Sequence, residues 1–223
     1  MVVEMCGLPG CGKSTLIEKC FPNPQIVYNR RKIFRDVRIR SQIFKVIPHS
    51  FPMKNEYIIL RDFANEYPNA NKVFISKMYR LNYALNVSKA KLVLLDEGPI
   101  QHITSIAFDE EIKNDELLNE AVSVLSKDEV MVFYCRCPID VTIGRLIERK
   151  ENGYMNNGRY EVNDLSRLRK LLEIKDLNIS TVLSRYNGKI IELNMQDSID
   201  KNIEIIKDNI EKTTFIEREK LWL

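Results

Sequence analysis

Gly7-Leu8-Pro9-Gly10-Cys11-Gly12-Lys13-Ser14 matches the spacing G-x-x-x-x-G-K-S/T once in the chain. Glycines in such a loop let backbone N–H groups wrap phosphate oxygens, and the helix that follows adds the positive end of its dipole. The expected ligand is a purine nucleoside triphosphate, ATP in the first instance, bound with Mg²⁺. Lys13 is expected to reach the β- and γ-phosphates and the Ser14 hydroxyl to bind Mg²⁺. Gly7, Pro9, Gly10, Cys11, Gly12, Lys13, Ser14 and Thr15 make up the expected nucleotide-contacting set.

A second group of chemical side chains is Asp96-Glu97, directly after the apolar run Leu92 to Leu95. Open α/β sheets bind ligands outside the carboxyl ends of their strands, so the pair is placed where a metal–phosphate ligand would lie. Asp96 is expected to hold Mg²⁺, with Glu97, or Asp96 through a second contact, taking a proton from an attacking hydroxyl or water. A third group is Arg145 and Arg149, four residues apart and therefore on one helix face, followed by the glycine-bearing loop Asn152 to Arg159. Such a loop fits a lid that closes over phosphates and excludes water. On the acceptor side the arginines and lysine between Arg30 and Arg40 suit an anionic ligand or a solvated face. Tyr57, Arg61, Tyr79, Arg80 and Tyr83 offer stacking and hydrogen-bonding groups, and His102 follows closely on the two carboxylates.

These groups need a scaffold that brings strand ends to one edge. Met1 to Cys6, Lys91 to Leu95 and Val130 to Cys135 are continuous apolar runs, the pattern of parallel strands covered on both faces. Gln25 to Tyr28 is a weaker strand, and Lys189 to Leu193 follows Gly188 as another. Helices are expected over Lys13 to Cys20, Arg30 to Val46, Met53 to Ser88 with a break near Pro68, Asp164 to Tyr186 and Ser198 to Lys212. Phe74, Met78, Leu81 and Leu85 share one face in the third of these, and Leu165, Leu168, Leu172 and Leu183 contribute to an apolar stripe in the fourth. Strands alternating with helices predict a mostly parallel, doubly wound sheet of about five strands with helices on both faces.

Bulk properties agree with one folded domain. With 223 residues, 44% of them hydrophobic, the chain can bury a sizeable core. A net charge of +3 is too small to signal nucleic acid by itself. The odd cysteine count, with no disulfide-scaffold spacing, points to reduced thiols in a cytoplasm, and no run approaches a membrane span.

The sequence resembles the P-loop kinases that include thymidylate kinases and deoxynucleoside kinases. The phosphate loop, Leu94-Leu95-Asp96-Glu97-Gly98, and Cys137-Pro138 followed by Arg145 and Arg149 carry that likeness in order. It implies a three-layer α/β/α P-loop NTPase fold with a five-stranded parallel core in the order 2-3-1-4-5. The whole chain, 1–223, would be one domain, with acceptor-covering helices over about 30–89 and a lid over about 145–163. It further implies that Arg145, Arg149 and Arg159 contact the transferring phosphoryl group, and that the loop Met195 to Ser198 lies by the adenine. The implied activity is transfer of the γ-phosphoryl group of MgATP to a small acceptor, a nucleoside or nucleotide first, with no membrane partner and a homodimer allowed.

The chain departs from the family in Asp96-Glu97-Gly98, where those kinases commonly carry Asp-Arg or Glu-Arg-Ser, and Tyr28-Asn29-Arg30 lacks an acidic base. No guanine-reading Asn-Lys-x-Asp or Leu-Ser-Gly-Gly-Gln signature occurs. The remaining competitors are an NTP-hydrolysing regulator, since hydrophobic residues followed by Asp-Glu also suit water activation, and a kinase acting on a sugar or antibiotic hydroxyl.

Overall fold

The computed structural model of the chain describes residues 1–21, 27–29, 54–70, 92–107, 109–125, 130–153 and 164–213. Its strands are β1 (Val2–Gly7), β2 (Val27–Asn29), β3 (Leu92–Leu95), β4 (Val130–Arg136) and β5 (Ile190–Asn194). They form one sheet in the order β2-β3-β1-β4-β5. The expected mostly parallel sheet is corrected in one respect: every pairing among the described residues is parallel. Central β1 is aligned so that Glu4 lies opposite Leu95 on one side and Gly7 opposite Cys135 on the other. Parallel strands deliver all their carboxyl ends to one edge. The glycine-rich loop after Gly7, Asp96-Glu97 after Leu95, Cys137 after Arg136 and Met195 after Asn194 therefore converge.

Helices α1 (Lys13–Cys20), α2 (Lys54–Asn65), α3 (Pro99–Ile106), α4 (Asp115–Leu125), α5 (Ile139–Glu151), α6 (Leu165–Arg185) and α7 (Ile199–Thr213) cover the sheet. α1 packs on β1 and α7, and α7 on β5, while α3 and α6 pack on β1 and on each other, with α4 and α2 beyond. Phe133 and Met5 from the strands and Phe63 from α2 are among the largest fully buried side chains, in one continuous core. Burying each removes roughly 1.5–3 kcal/mol of apolar exposure from the folded state.

Three further expectations need correction. α3 and α4 were not expected: Gly98-Pro99 reads as a turn, yet proline is suited to the first helical position, where its missing N–H costs nothing. Leu165 leaves the expected apolar stripe, being 50% exposed at the start of α6, while Leu168, Leu172 and Leu183 are buried. The last strand runs from Ile190 rather than Lys189. The helix expected over Arg30 to Val46, the apolar face from Phe74 to Leu85, and the tyrosines and arginine at 79, 80 and 83 lie outside the described residues, as do Arg159 and most of the expected lid. Among the described residues no helix is long and apolar enough to cross a membrane.

Candidate functional site

The site begins where β1 turns into α1. Gly12 stands at the helix N-cap with φ 109°, a left-handed conformation that favours glycine, and it supplies no side-chain cap. The first N–H groups of α1, at the positive end of the helix, therefore have no side-chain cap from the N-cap residue. Ser14 and Thr15, in the first turn, are exposed. Lys13 folds back over the loop, donating to the Gly7 carbonyl at 2.7 Å and the Leu8 carbonyl at 2.8 Å, with Cys11 Sγ 3.7 Å away. Burial alone would lower the lysine pKa, but Cys11, Cys135, Cys6 and Glu97 outweigh it and raise the value, so Lys13 stays charged. All five cysteines are free and buried. A hydrogen bond from Cys135, working against burial and aided by Lys13, holds the Cys11 thiol well below its ordinary range, and Cys135 is raised in return.

Asp96 and Glu97 leave β3 half-buried beside this loop, and the field of Glu97 acts on Lys13. They are thus brought to the same edge as Ser14. His102 is buried in α3 with 1% exposure, so it does not stand in an open acceptor position. Arg61 faces its exposed neighbour Asp62 at 3.0 Å. The side chain of Tyr57 lies outside the described residues.

On the other side of the loop, Arg145 does something its spacing did not announce. Nη1 donates to the Cys11 carbonyl at 2.6 Å and Nη2 to the Met195 carbonyl at 3.2 Å. The guanidinium thus ties the phosphate loop to the segment after β5 instead of reaching freely from a lid, which corrects its expected geometry. Arg149, one turn on, is exposed and lines the same cleft, whose volume is about 470 Å³. Gly12, Thr15, Met195 and Asn202 also line it. That volume falls within the roughly 300–1,000 Å³ of small-molecule sites and suits a purine nucleoside.

Sequence reading passed over two residues that organise the site. Glu4 sits inside the apolar run of β1 with 0% exposure. Gln101 accepts the Gly7 N–H through Oε1 at 3.2 Å, joining α3 to the start of the phosphate loop. A glutamate within a buried strand was the available signal, because that residue type is almost never fully buried without partners.

No protein-family profile matches the chain, and no curated protein matches it. Solved structures do. Deoxyadenosine kinase from M. mycoides, with products dCMP and a flexible dCDP bound, superposes with a TM-score of 0.51 at 14% identity, covering 96% of this chain and 100% of its own. The YorR protein of Bacillus subtilis, in complex with phosphorylated GDP, gives a TM-score of 0.51 at 15% identity over 96% of this chain and 97% of its own. At such identities the likeness speaks for the fold alone.

Proposed function

We propose that the protein is an ATP-dependent kinase that moves the γ-phosphoryl group of MgATP to the hydroxyl or phosphate oxygen of a small acceptor, a nucleoside or nucleotide first. The observation that carries this reading is the uncapped start of α1, flanked by Glu97 on one side and by the Arg145 bridge to a purine-sized cleft on the other. The nucleoside kinase among the structural neighbours favours that acceptor class.

In this reading the base occupies the cleft lined by Thr15, Arg149, Met195 and Asn202, and the triphosphate runs along the loop to the N–H groups of α1. Lys13 exchanges its two loop carbonyls for β- and γ-phosphate oxygens, so its charge is already in place when the nucleotide arrives. Ser14 and Asp96, an exposed hydroxyl and a carboxylate on one edge of the sheet, fit the oxygen donors that Mg²⁺ prefers. When bound there, Mg²⁺ neutralises charge on the phosphates. An acceptor oxygen attacks the γ-phosphorus, the bond to the β-bridging oxygen breaks, ADP leaves, and the acceptor proton passes to Glu97. Arg149 stabilises negative charge on the phosphoryl group in flight.

Glu97 beside Asp96 favours one second reading, a regulator in which the carboxylate activates water instead. Incubation with γ-³²P-ATP, Mg²⁺ and a panel of nucleosides, nucleoside monophosphates, sugars and aminoglycosides separates the two. Label on an organic acceptor supports the kinase. Label found only as inorganic phosphate across the panel supports the hydrolase.

A further inference from the structure

The interior of β1 holds a carboxylate that the phosphate chemistry above does not use. Glu4 lies between β3 and β4, fully buried, where an ionised group without partners would cost several kcal/mol. Among the described residues its hydrogen bonds come from the start of α3. Oε1 accepts from the Gly98 N–H at 3.1 Å and the Gln101 N–H at 2.8 Å, and Oε2 accepts from the Ile100 N–H at 3.0 Å. Gly98, the N-cap of α3, offers no side chain, and Pro99 has no N–H to give. A residue 94 positions away therefore does the work that a local Ser or Asp does in most helices.

The fit is tight as well as polar. A Cβ on Gly98 would fall 2.5 Å from Glu4 Cδ and 2.7 Å from Oε2. Its φ of −104° is open to any residue, so glycine is required there by the carboxylate and not by the backbone. The Glu97–Gly98 peptide is thereby pinned, and with it the direction in which Asp96 and Glu97 leave β3. Gln101, held by the same carboxylate through its own N–H, accepts the Gly7 N–H through its side chain. One buried group thus connects the metal-side loop to the phosphate loop. A cap needed only for stability could have been built at position 98 without burying a carboxyl group under the sheet edge.

We propose that Glu4 is a positioning residue for phosphoryl transfer, fixing Asp96 and Glu97 relative to the phosphate loop through the N-terminus of α3. This rests on the reading of those two residues as metal-holding and proton-accepting groups. Misplacing reacting groups by about 1 Å costs on the order of 10²-fold in rate.

The test compares the parent with Glu4→Gln, which keeps the shape but turns an NH₂ group toward N–H donors. Asp164→Ala serves as a control: it removes the exposed N-cap of α6, whose carboxylate accepts from the Arg167 N–H at 2.9 Å, far from the site in role. Melting temperature, γ-phosphate release or transfer, and the Mg²⁺ dependence of ATP affinity are read for each. Glu4→Gln is expected to lose roughly 10-fold or more in kcat and most of the Mg²⁺-dependent gain in ATP affinity, with little change in metal-free ATP binding. The control should lose melting temperature only. A folded Glu4→Gln with parental kcat and parental Mg²⁺ dependence overturns the proposal. Should Glu4→Gln fail to fold, Gly98→Ala, which presses a methyl group into the carboxylate, must give the same Mg²⁺ effect in folded protein. Parental behaviour there overturns the proposal equally. A parent that turns over no ATP with any acceptor contradicts the kinase and hydrolase readings instead, while the Mg²⁺ dependence of ATP binding still decides the role of Glu4.

Discussion

Helices α1 and α3 start at the same edge of the sheet, after neighbouring strands, and each has a glycine at its N-cap with no side-chain cap of its own. They answer the same electrostatic problem in opposite ways. At α3 the N–H groups are filled permanently by Glu4, a carboxylate belonging to the protein. At α1 no side chain of the N-cap residue fills them, and Lys13 is parked on two loop carbonyls, the arrangement the proposed function reads as a ligand site. An unfilled helix start invites an anion, and a filled one becomes a fixed strut. On the proposed function, the difference separates the part of the site that must bind and release from the part that must hold still.

The largest expected effect comes from removing the charge at the open end. Lys13→Ala should lower turnover of ATP by about 10³-fold or more, while circular dichroism shows the fold intact, since the side chain bonds only to its own loop. Next is the loop held by the filled end. Glu97→Gln should reduce phosphoryl transfer by about 10²–10⁴-fold, the usual contribution of a general base, with ATP affinity little changed in a binding titration. Asp96→Asn should instead raise the Mg²⁺ concentration needed for half-maximal rate.

Arg145 and Arg149 sharpen the comparison on the nucleotide side. Because Arg145 bridges Cys11 and Met195 carbonyls, Arg145→Ala should raise KM for ATP by roughly 10-fold along with any fall in kcat. Arg149→Ala should act mainly on kcat. Steady-state kinetics with ATP varied distinguishes the two.

The last effect is on stability and not on rate. Burial pushes the Glu4 carboxyl up from 4.5 to about 7, against the pull of the Gln101, Ile100 and Gly98 N–H groups and of Lys13. Between those values the folded chain holds a proton that the unfolded chain has released. Glu4 therefore favours folding below about pH 4.5 and loses that contribution as pH rises to about 7. The slope is at most about 1.4 kcal/mol per pH unit. Urea titrations of the parent and Glu4→Gln across this range should differ by that slope, and parallel curves would show that Glu4 titrates normally.

What the sequence made legible was local in origin. The spacing from Gly7 to Ser14 is a single continuous motif, and the apolar runs of β1, β3 and β4 show plainly because strands covered on both faces carry unbroken hydrophobic residues. β5 is half-exposed and reads more weakly, so its start shifts by a residue. Asp96 and Glu97 were visible because they directly follow such a run. Of the missed helices, α4 starts on a local cap, Asn114, whose Oδ1 accepts the Leu117 N–H at 3.1 Å, whereas α3 depends on a distant partner. α3 has an N-terminus completed from β1, so Pro99 at its first position signals a helix without the Ser, Thr, Asp or Asn cap that would normally precede it. Gln101 meets the Gly7 N–H, and Arg145 meets two backbone carbonyls, groups that every residue carries and that leave no mark in a sequence. Glu4 did leave one, a charge inside a buried strand, and its meaning emerged only with the three N–H groups around it.

The claim that the open start of α1 is a triphosphate site is tested most directly by calorimetric titration of adenosine, AMP, ADP and ATP, each with Mg²⁺, into the folded protein. Affinity should rise stepwise with phosphate number, and the ADP-to-ATP increment should vanish in Lys13→Ala. Equal affinity for adenosine and ATP, or an increment that survives loss of the lysine, would contradict the account.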